Sequence, residues 1–179
     1  MIETPRLLLR EFSEADFPAL YAIVSNPETM RFSDGVESES TARVRLAAFR
    51  QSYSERGFGK WAVEERESEK IVGYCGFGVE EFDGCAEPEL GFRFLPAFWG
   101  VGFATEAALG CSRYAFSLLG FPRYLGFANP ANVASVRVLE KIGMSLLGDR
   151  RFHGYPVVVY QKKEPNQPPA TAPSGRGSS

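Results

Sequence analysis

The sequence predicts an α/β (α+β) fold, because short apolar strands and segments of helical period succeed one another along the chain. The chain has 179 residues, 44% of them hydrophobic, which is enough for one domain with a core of its own. At its centre an apolar strand, a glycine-rich turn and a helix are adjacent. The predicted order of elements is β-α-α-β-β-β-α-β-α-β-β.

The N-terminal half is predicted to contain two helices and three strands. Ser13, followed by acidic residues, is typical of a helix N-cap, and Gly57 is typical of a helix end. The polar turn at 66–69 favours a hairpin between two apolar segments. In order, the elements are a strand at 6–10, helices at 13–26 and 38–56, and strands at 60–64 and 71–77.

The C-terminal half begins with the central unit. Because a helix separates the strands at 89–95 and 123–128, these two strands are predicted to be parallel. In order, the elements are a strand at 89–95, a helix at 102–119, a strand at 123–128, a helix at 132–143 and strands at 144–152 and 156–162. A segment rich in proline, glycine and serine follows, which predicts a domain at 1–163 and a disordered tail at 164–179.

The turn at 96–106 carries the clearest functional pattern. Gly100 and Gly102 let the backbone approach a ligand closely, and the first amides of the next helix have no partner within it, so the turn is predicted to bind phosphate. A P-loop is excluded because the turn has no lysine. The dinucleotide pattern fails because Thr105 takes the place of its third glycine. A glycine-rich turn without function is the remaining alternative.

Two segments resemble a known family. Residues 99–104, Trp-Gly-Val-Gly-Phe-Ala, resemble the acyl-CoA loop Gln/Arg-x-x-Gly-x-Gly/Ala of the GNAT superfamily of N-acetyltransferases, except at the first position. The longer phrase Trp-Gly-x-Gly-x-Ala-Thr-Glu-Ala, with proline three residues before it, is similar to the Rim-type (RimJ/RimL-like) ribosomal-protein N-terminal acetyltransferases. Residues 129–144 resemble the family pattern Asn-x-x-Ser…Glu-Lys-x-Gly-Phe, with Met144 in place of phenylalanine.

The resemblance covers about residues 3–162 and implies the GNAT fold. That fold is a single mixed, mostly antiparallel seven-stranded sheet with about four helices, whose central strands are splayed to hold acetyl-CoA, here expected as a co-substrate. The amides from Gly100 to Thr105 would hold the pyrophosphate, and a backbone N–H near Phe94 or Leu95 would polarise the carbonyl. The residues implied to bind acetyl-CoA are Phe94, Leu95, Trp99, Gly100, Val101, Gly102, Phe103, Ala104, Thr105 and Asn132.

The resemblance also implies catalytic residues. At the position of Leu139 many members have a tyrosine, which protonates the departing thiolate. This chain lacks that tyrosine, so Ser135 or water is expected to protonate the thiolate. Asn132 and Ser135 have a structural alternative as an N-cap and a polar first-turn residue. Glu89 is a candidate general base acting through water, and a structural ion pair is its alternative. Glu106, in the first turn of the central helix, is expected to be structural.

The implied function is an N-acetyltransferase that moves the acetyl group to a primary amine, either a protein N-terminus or a small molecule, by direct attack in a ternary complex. One alternative is transfer of another acyl group such as succinyl, for which Arg93 is a candidate cation. Another is a catalytically silent acyl-CoA-binding module. The loop at 28–37 is expected to border the acceptor site. Neither an acidic run nor a basic patch in the sequence indicates the acceptor's charge.

Composition limits the other partners. The net charge of −2 gives no general attraction to nucleic acid or to an anionic membrane. Three scattered cysteines and a single histidine, His153, predict neither a metal site nor a disulfide framework. Without a long apolar run or a signal peptide, the protein is expected to be cytoplasmic. A homodimer is possible, since dimers are common in the superfamily.

Overall fold

The computed structural model describes residues 1–152 and 154–165. His153 and most of the predicted tail, residues 166–179, lie outside the described residues, so the domain boundary at 163 stays a prediction. The strands are β1 (Ile2–Glu3), β2 (Leu7–Arg10), β3 (Lys60–Glu65), β4 (Lys70–Phe82), β5 (Cys85–Phe94), β6 (Arg123–Ala128), β7 (Ser145–Phe152) and β8 (Tyr155–Lys163). The α-helices are α1 (Phe17–Val24), α2 (Pro27–Met30), α3 (Glu39–Arg56), α4 (Phe103–Ser117) and α5 (Val133–Lys141).

The strands form one mixed sheet in the order β1-β2-β3-β4-β5-β6-β8-β7, which confirms the predicted fold class. The sheet has eight strands and not seven, because Ile2 and Glu3 pair with β2 as an edge strand. The five helices include α2, in the segment that the sequence leaves without a pattern. Both additions are too short to show a period, so sequence patterns could not reveal them.

The centre of the sheet is the only place in the described chain where two strands run parallel. β5 and β6 are parallel, as the intervening helix α4 predicts, and Glu89 opposite Leu125 is the one register pair that they form. Beyond this pair the strands diverge toward their carboxyl ends. The divergence opens a gap at the level of Phe94, beside the glycine turn.

Two hydrophobic cores cover the two faces of the sheet. Phe94 packs on one face with α4, within a cluster that also contains Cys75 and Ala108. The other face carries Tyr74, which packs with residues of α1, α2 and α3. Because successive side chains of a strand point to opposite faces, Arg93 lies on the face of α2 while Phe94 lies on the face of α4. The gap therefore joins the two faces.

None of the helices in the described ranges is long and apolar enough to cross a membrane.

Candidate active site

A cavity of about 540 Å³ lies where β5 and β6 diverge. Its wall is formed by the glycine turn, the ends of β5 and β6, the start of α5, and α2 with the loop that follows it. The predicted site residues that line it are Phe94, Trp99, Gly100, Gly102, Phe103, Ala104, Thr105, Asn132 and Ser135. The structure thus brings the two sequence motifs together in one cavity.

The glycine turn presents a row of backbone amides. Gly100 and Gly102 have φ angles of 77° and 89°, in the left-handed region that favours glycine. Gly102 precedes α4, and the first bond of the helix runs from the Glu106 amide to the Gly102 carbonyl at 3.0 Å. The amides of residues 100–105 therefore have no acceptor within the described residues. Free amides at the positive end of a helix suit an anionic ligand.

Arg6, in the bend between β1 and β2, contacts this turn. Its Nη1 donates to the Val101 carbonyl at 2.9 Å, and its guanidinium lies 4.7 Å from the centre of the Phe103 ring. Its Nη2 lies 2.7 Å from the Glu106 carboxylate, which also accepts a hydrogen bond from the Thr4 hydroxyl. Burial acts to raise the pKa of Glu106, but the hydrogen bonds from Thr4 and Arg6 outweigh it and lower the pKa. Glu106 is structural, as predicted.

Phe94 offers the amide nearest to the gap. The Leu95 amide donates to the Val72 carbonyl at 3.0 Å, which makes Leu95 and Val72 a hydrogen-bonded pair across β4 and β5. Such pairs alternate along an antiparallel ladder, so the N–H and the carbonyl of Phe94 point away from β4 and into the gap. The indole Nε1 of Trp99 donates to the Phe94 carbonyl at 2.7 Å, and the Phe94 N–H is left facing the cavity.

The start of α5 forms the opposite wall. The side-chain oxygen of Asn132 accepts a hydrogen bond from the Ser135 amide at 3.2 Å, so Asn132 is the N-cap of the helix. Both residues also line the cavity. The hydroxyl of Ser135 has no partner within the described residues and is therefore available to a ligand. The structural and the functional interpretations of these two residues are compatible.

Two of the residues implied to bind acetyl-CoA do not line the cavity. The Leu95 amide is bonded to Val72, and its side chain packs against the core on the α1 and α3 side, so Leu95 cannot polarise a carbonyl. Val101 has an exposed side chain, and its carbonyl accepts from Arg6. Its contribution to the turn is its backbone.

Glu89 also lies outside the cavity wall. The Lys60 Nζ lies 2.7 Å from its carboxylate and also donates to the carbonyls of Gly76 and Glu89. The side chains of Lys60 and Glu89 are 14% and 13% exposed, so the pair is largely shielded from water. The geometry corresponds to the structural ion pair, which is the alternative to the predicted general base.

Sequence reasoning missed the residues on the α2 side of the cavity as individual candidates. Glu28 and Arg31 line the wall with Phe127 from β6, and so does Arg93 from β5, which the sequence analysis did name as a candidate cation. The predicted border at 28–37 agrees with this placement. Asp34, in the same loop, raises the pKa of Tyr155 in the last hairpin, because the carboxylate lies close to the phenol. Among the described residues no cluster of metal-ligating side chains occurs.

Comparisons with known proteins show the family and the fold of this chain. Residues 6–145 match the family model of the acetyltransferase (GNAT) domain. The uncharacterized N-acetyltransferase YoaA of Bacillus subtilis is 31% identical over 157 residues, which cover 87% of this chain and 88% of that protein. The crystal structure of an acetyltransferase from Agrobacterium tumefaciens has a TM-score of 0.79 at 25% identity, over 91% of this chain and 94% of that one. RimL, a ribosomal L7/L12 α-N-protein acetyltransferase in complex with coenzyme A, shares the fold at 18% identity, with a TM-score of 0.74 over 89% and 95% of the two chains.

Proposed function

The chain belongs to the acetyltransferase (GNAT) domain family and is an acyltransferase, and from this premise we propose that it moves the acetyl group of acetyl-CoA to a primary amine by direct attack in a ternary complex. The acceptor is a protein N-terminus or a small amine. The observation that carries the proposal is the continuity of the cavity, which extends from the free amides of the glycine turn through the gap to the α2 side of the sheet.

The donor half of the cavity fits a coenzyme A thioester. The amides of residues 100–105 hold the pyrophosphate, and the positive φ angles of Gly100 and Gly102 aim those amides at it. Arg137 and Lys141 line the same cavity from α5 and offer positive charge to the 3′-phosphate. The side chain of Asn132 is placed to contact the pantetheine arm. The coenzyme A bound in the RimL structure, which has the same fold, supports this assignment.

The transfer step uses the gap between β5 and β6. The N–H of Phe94 donates to the thioester carbonyl oxygen, where negative charge develops as the amine nitrogen attacks the carbonyl carbon. The carbon–sulfur bond then breaks, and Ser135 passes a proton to the departing thiolate while it takes one up from water. The amine loses its proton to water. Trp99 acts as a positioning residue because it binds the Phe94 carbonyl and keeps the adjacent N–H directed into the gap.

No side-chain base is included, because the Glu89 carboxylate is held by Lys60. An α-amino group has a pKa of about 7.7–8.0, whereas the pKa of lysine is about 10.4, so an α-amine reaches its neutral form near neutral pH without a strong base. With Glu89 neutralised by Lys60, a mechanism that passes the proton to water favours a protein N-terminus, or another amine of low pKa, over lysine. The Rim-type resemblance supports the same acceptor class.

A thermal-shift experiment followed by an activity assay tests the proposal. A ligand that binds only the native state at 100 times its dissociation constant should raise the melting temperature of such a domain by roughly 5–10 °C. We expect this rise with acetyl-CoA and not with NADH or ATP, followed by thiol release when an amine panel is added. Binding without thiol release on any amine would instead support a catalytically silent acyl-CoA module.

Two glycine variants make the test specific to the turn. Gly100→Ala and Gly120→Ala both place a side chain at a left-handed φ, and both Cβ atoms would meet open space. Similar strain should lower both melting temperatures equally. Only Gly100→Ala should lose the response to acetyl-CoA. Equal responses from the two variants would contradict the assignment of the turn.

A further inference from the structure

Arg93 lies at the acceptor end of the cavity. It is opposite Tyr74 in the register of β4 and β5, on the face of the sheet that packs against α1, α2 and α3. Its guanidinium is half-buried and lines the cavity, and its one hydrogen-bond partner in the described part of the chain is the thioether of Met30. A thioether is a weak acceptor and carries no charge, so it does not neutralise the arginine.

The other half-buried arginines are all paired with carboxylates. Among the described residues four arginines are half-buried, and three of them, Arg10, Arg45 and Arg123, form ion pairs with Asp16, Glu37 and Glu87. Arg93 forms no ion pair within the same ranges. A guanidinium that is partly removed from water is stabilised by an anionic partner, and Arg93 lacks one in its own chain. Apart from the N–H that meets Met30, its donors have no partner in the described ranges, and Arg93 lines a cavity that a ligand can enter.

The charges on the cavity wall are unbalanced. The wall contains four cations, Arg31, Arg93, Arg137 and Lys141, and a single carboxylate, that of Glu28. Arg137 and Lys141 belong to α5 at the donor end. Arg31 lies 4.5 Å from the centre of the Phe32 ring, beside α2, at the same end as Arg93. The acceptor end thus has two cations and one acid.

We propose that Arg93 binds an anionic group of the acceptor, so that the preferred substrates are amines that also carry a carboxylate or a phosphate close to the amine. The inference rests on the proposed acetyltransferase function and specifies the chemistry of its acceptor. Arg93 acts as a specificity residue, since it contacts the substrate away from the reacting atoms. Arg31 adds positive charge to the same end of the cavity.

The position of Arg93 favours the acceptor over the acyl donor as the source of the anionic group. The glycine turn and α4 lie on the face of Phe94, whereas Arg93 lies on the opposite face. A donor held by the turn reaches the gap from the first face, and the attacking amine arrives from the second. A carboxylate on a longer acyl group, such as succinyl, could also cross the gap to Arg93, so the experiment separates the two sources.

The test uses pairs of amines in which one member carries an anionic group that the other lacks, with acetyl-CoA and a thiol-release readout. Suitable pairs are 4-aminobutyrate with 4-aminobutanamide, phosphoethanolamine with ethanolamine, and the tripeptides Ala-Asp-Ala and Ala-Asn-Ala. For at least one pair we expect kcat/KM to be about 10- to 100-fold higher for the anionic member, the range given by one hydrogen-bonded charge pair. Arg93→Gln should abolish this preference and Arg93→Lys should retain part of it. Arg113→Gln, an exposed arginine of α4 away from the cavity, should leave it unchanged.

The possible results distinguish the role of Arg93 from the proposed acetyltransferase function. Equal activity of wild type on all pairs, or a preference that survives in Arg93→Gln, would overturn the role of Arg93. An Arg93-dependent preference for succinyl-CoA over acetyl-CoA, measured with neutral amines, would overturn the acceptor as the source of the charge. If no amine releases thiol, the proposed function fails. The role of Arg93 is then decided by calorimetry of the same amine pairs with the protein–coenzyme A complex, where equal affinities for the two members would overturn it.

Discussion

The indole Nε1 of Trp99 donates a hydrogen bond to the carbonyl oxygen of Phe94, and the two atoms are 2.7 Å apart. The bond joins the glycine turn to the last residue of β5. It occupies the carbonyl that would otherwise point without a partner into the gap between β5 and β6, while the N–H of the same residue stays free. The glycine turn is thereby coupled to the amide that is proposed to polarise the thioester.

Trp99→Phe should lower turnover more than it lowers donor affinity. Loss of one hydrogen bond is worth about 1 kcal/mol, so we expect kcat to fall about fivefold, with little change in the Kd of acetyl-CoA. The variant keeps the amides of the turn, but it lacks the indole N–H that holds the backbone of Phe94 in its orientation. Steady-state kinetics and calorimetry check this directly. A loss of affinity at unchanged kcat would show that Trp99 acts on donor binding instead.

Arg6→Gln should weaken acetyl-CoA binding without a direct contact to the donor. Arg6 binds the Val101 carbonyl and the Glu106 carboxylate, so its loss frees the turn from the bend between β1 and β2. We expect the Kd of acetyl-CoA to rise about tenfold, the effect of one hydrogen bond to a charged group. Arg66→Gln is the matched control, since Arg66 is an exposed arginine that pairs with Glu3 at 3.5 Å and lies outside the cavity wall. An equal rise in the Kd of acetyl-CoA for the two variants would argue against a specific role of Arg6 in holding the turn.

Glu89→Gln should destabilise the fold and leave the pH dependence of turnover unchanged. The substitution removes the carboxylate that neutralises the shielded Lys60, which should lower the free energy of unfolding by about 2–3 kcal/mol. The profile of kcat between pH 6 and 9 should match that of wild type, because Glu89 does not line the cavity. Glu87→Gln, also on β5, breaks the ion pair with Arg123 of β6, whose side chain is more exposed than that of Lys60, so it should cost less stability and likewise leave the pH profile unchanged. Loss of turnover in Glu89→Gln alone would restore Glu89 as the general base.

Asp16→Asn should remove part of the acid sensitivity of folding. Burial acts to raise the pKa of Asp16, but hydrogen bonds from Arg10 and Ser13 outweigh it and lower the pKa to about 2. Because this value is below that of the unfolded chain, the carboxylate stabilises the fold fully above about pH 4, and the stabilisation is lost as the pH falls toward 2. The free energy of unfolding of the variant should be about 2 kcal/mol lower than that of wild type at pH 7 and similar to it at pH 2.

Denaturant unfolding across this pH range measures the effect of Asp16. Asp149→Asn serves as the control, since Asp149 is exposed and forms no ion pair in the described ranges. If the free energies of unfolding of Asp16→Asn and wild type differ by the same amount from pH 7 to pH 2, the Arg10–Asp16 pair does not cause the loss of stability in acid.

Local sequence was sufficient for the glycine turn and the start of α5. Each is a contiguous segment whose glycines, N-cap residue and free amides are set by the backbone of a few neighbouring residues. The seven predicted strands and the parallel pair at the centre were likewise visible as periodic segments. β1 and α2 were not, because two and four residues show no period.

The sequence by itself determined two local segments of the site, the glycine turn that is proposed to bind phosphate and the capped start of α5, because those features depend on residues close together in the chain. Only the tertiary structure decided the partners of Glu89 and Arg93. Strand register places Lys60 against Glu89, and the packing of α2 places Met30 against Arg93, although 29 and 63 residues separate the partners. One carboxylate is thereby neutralised and one guanidinium is left for a ligand. Such pairings arise from contacts between distant segments, which no local pattern encodes.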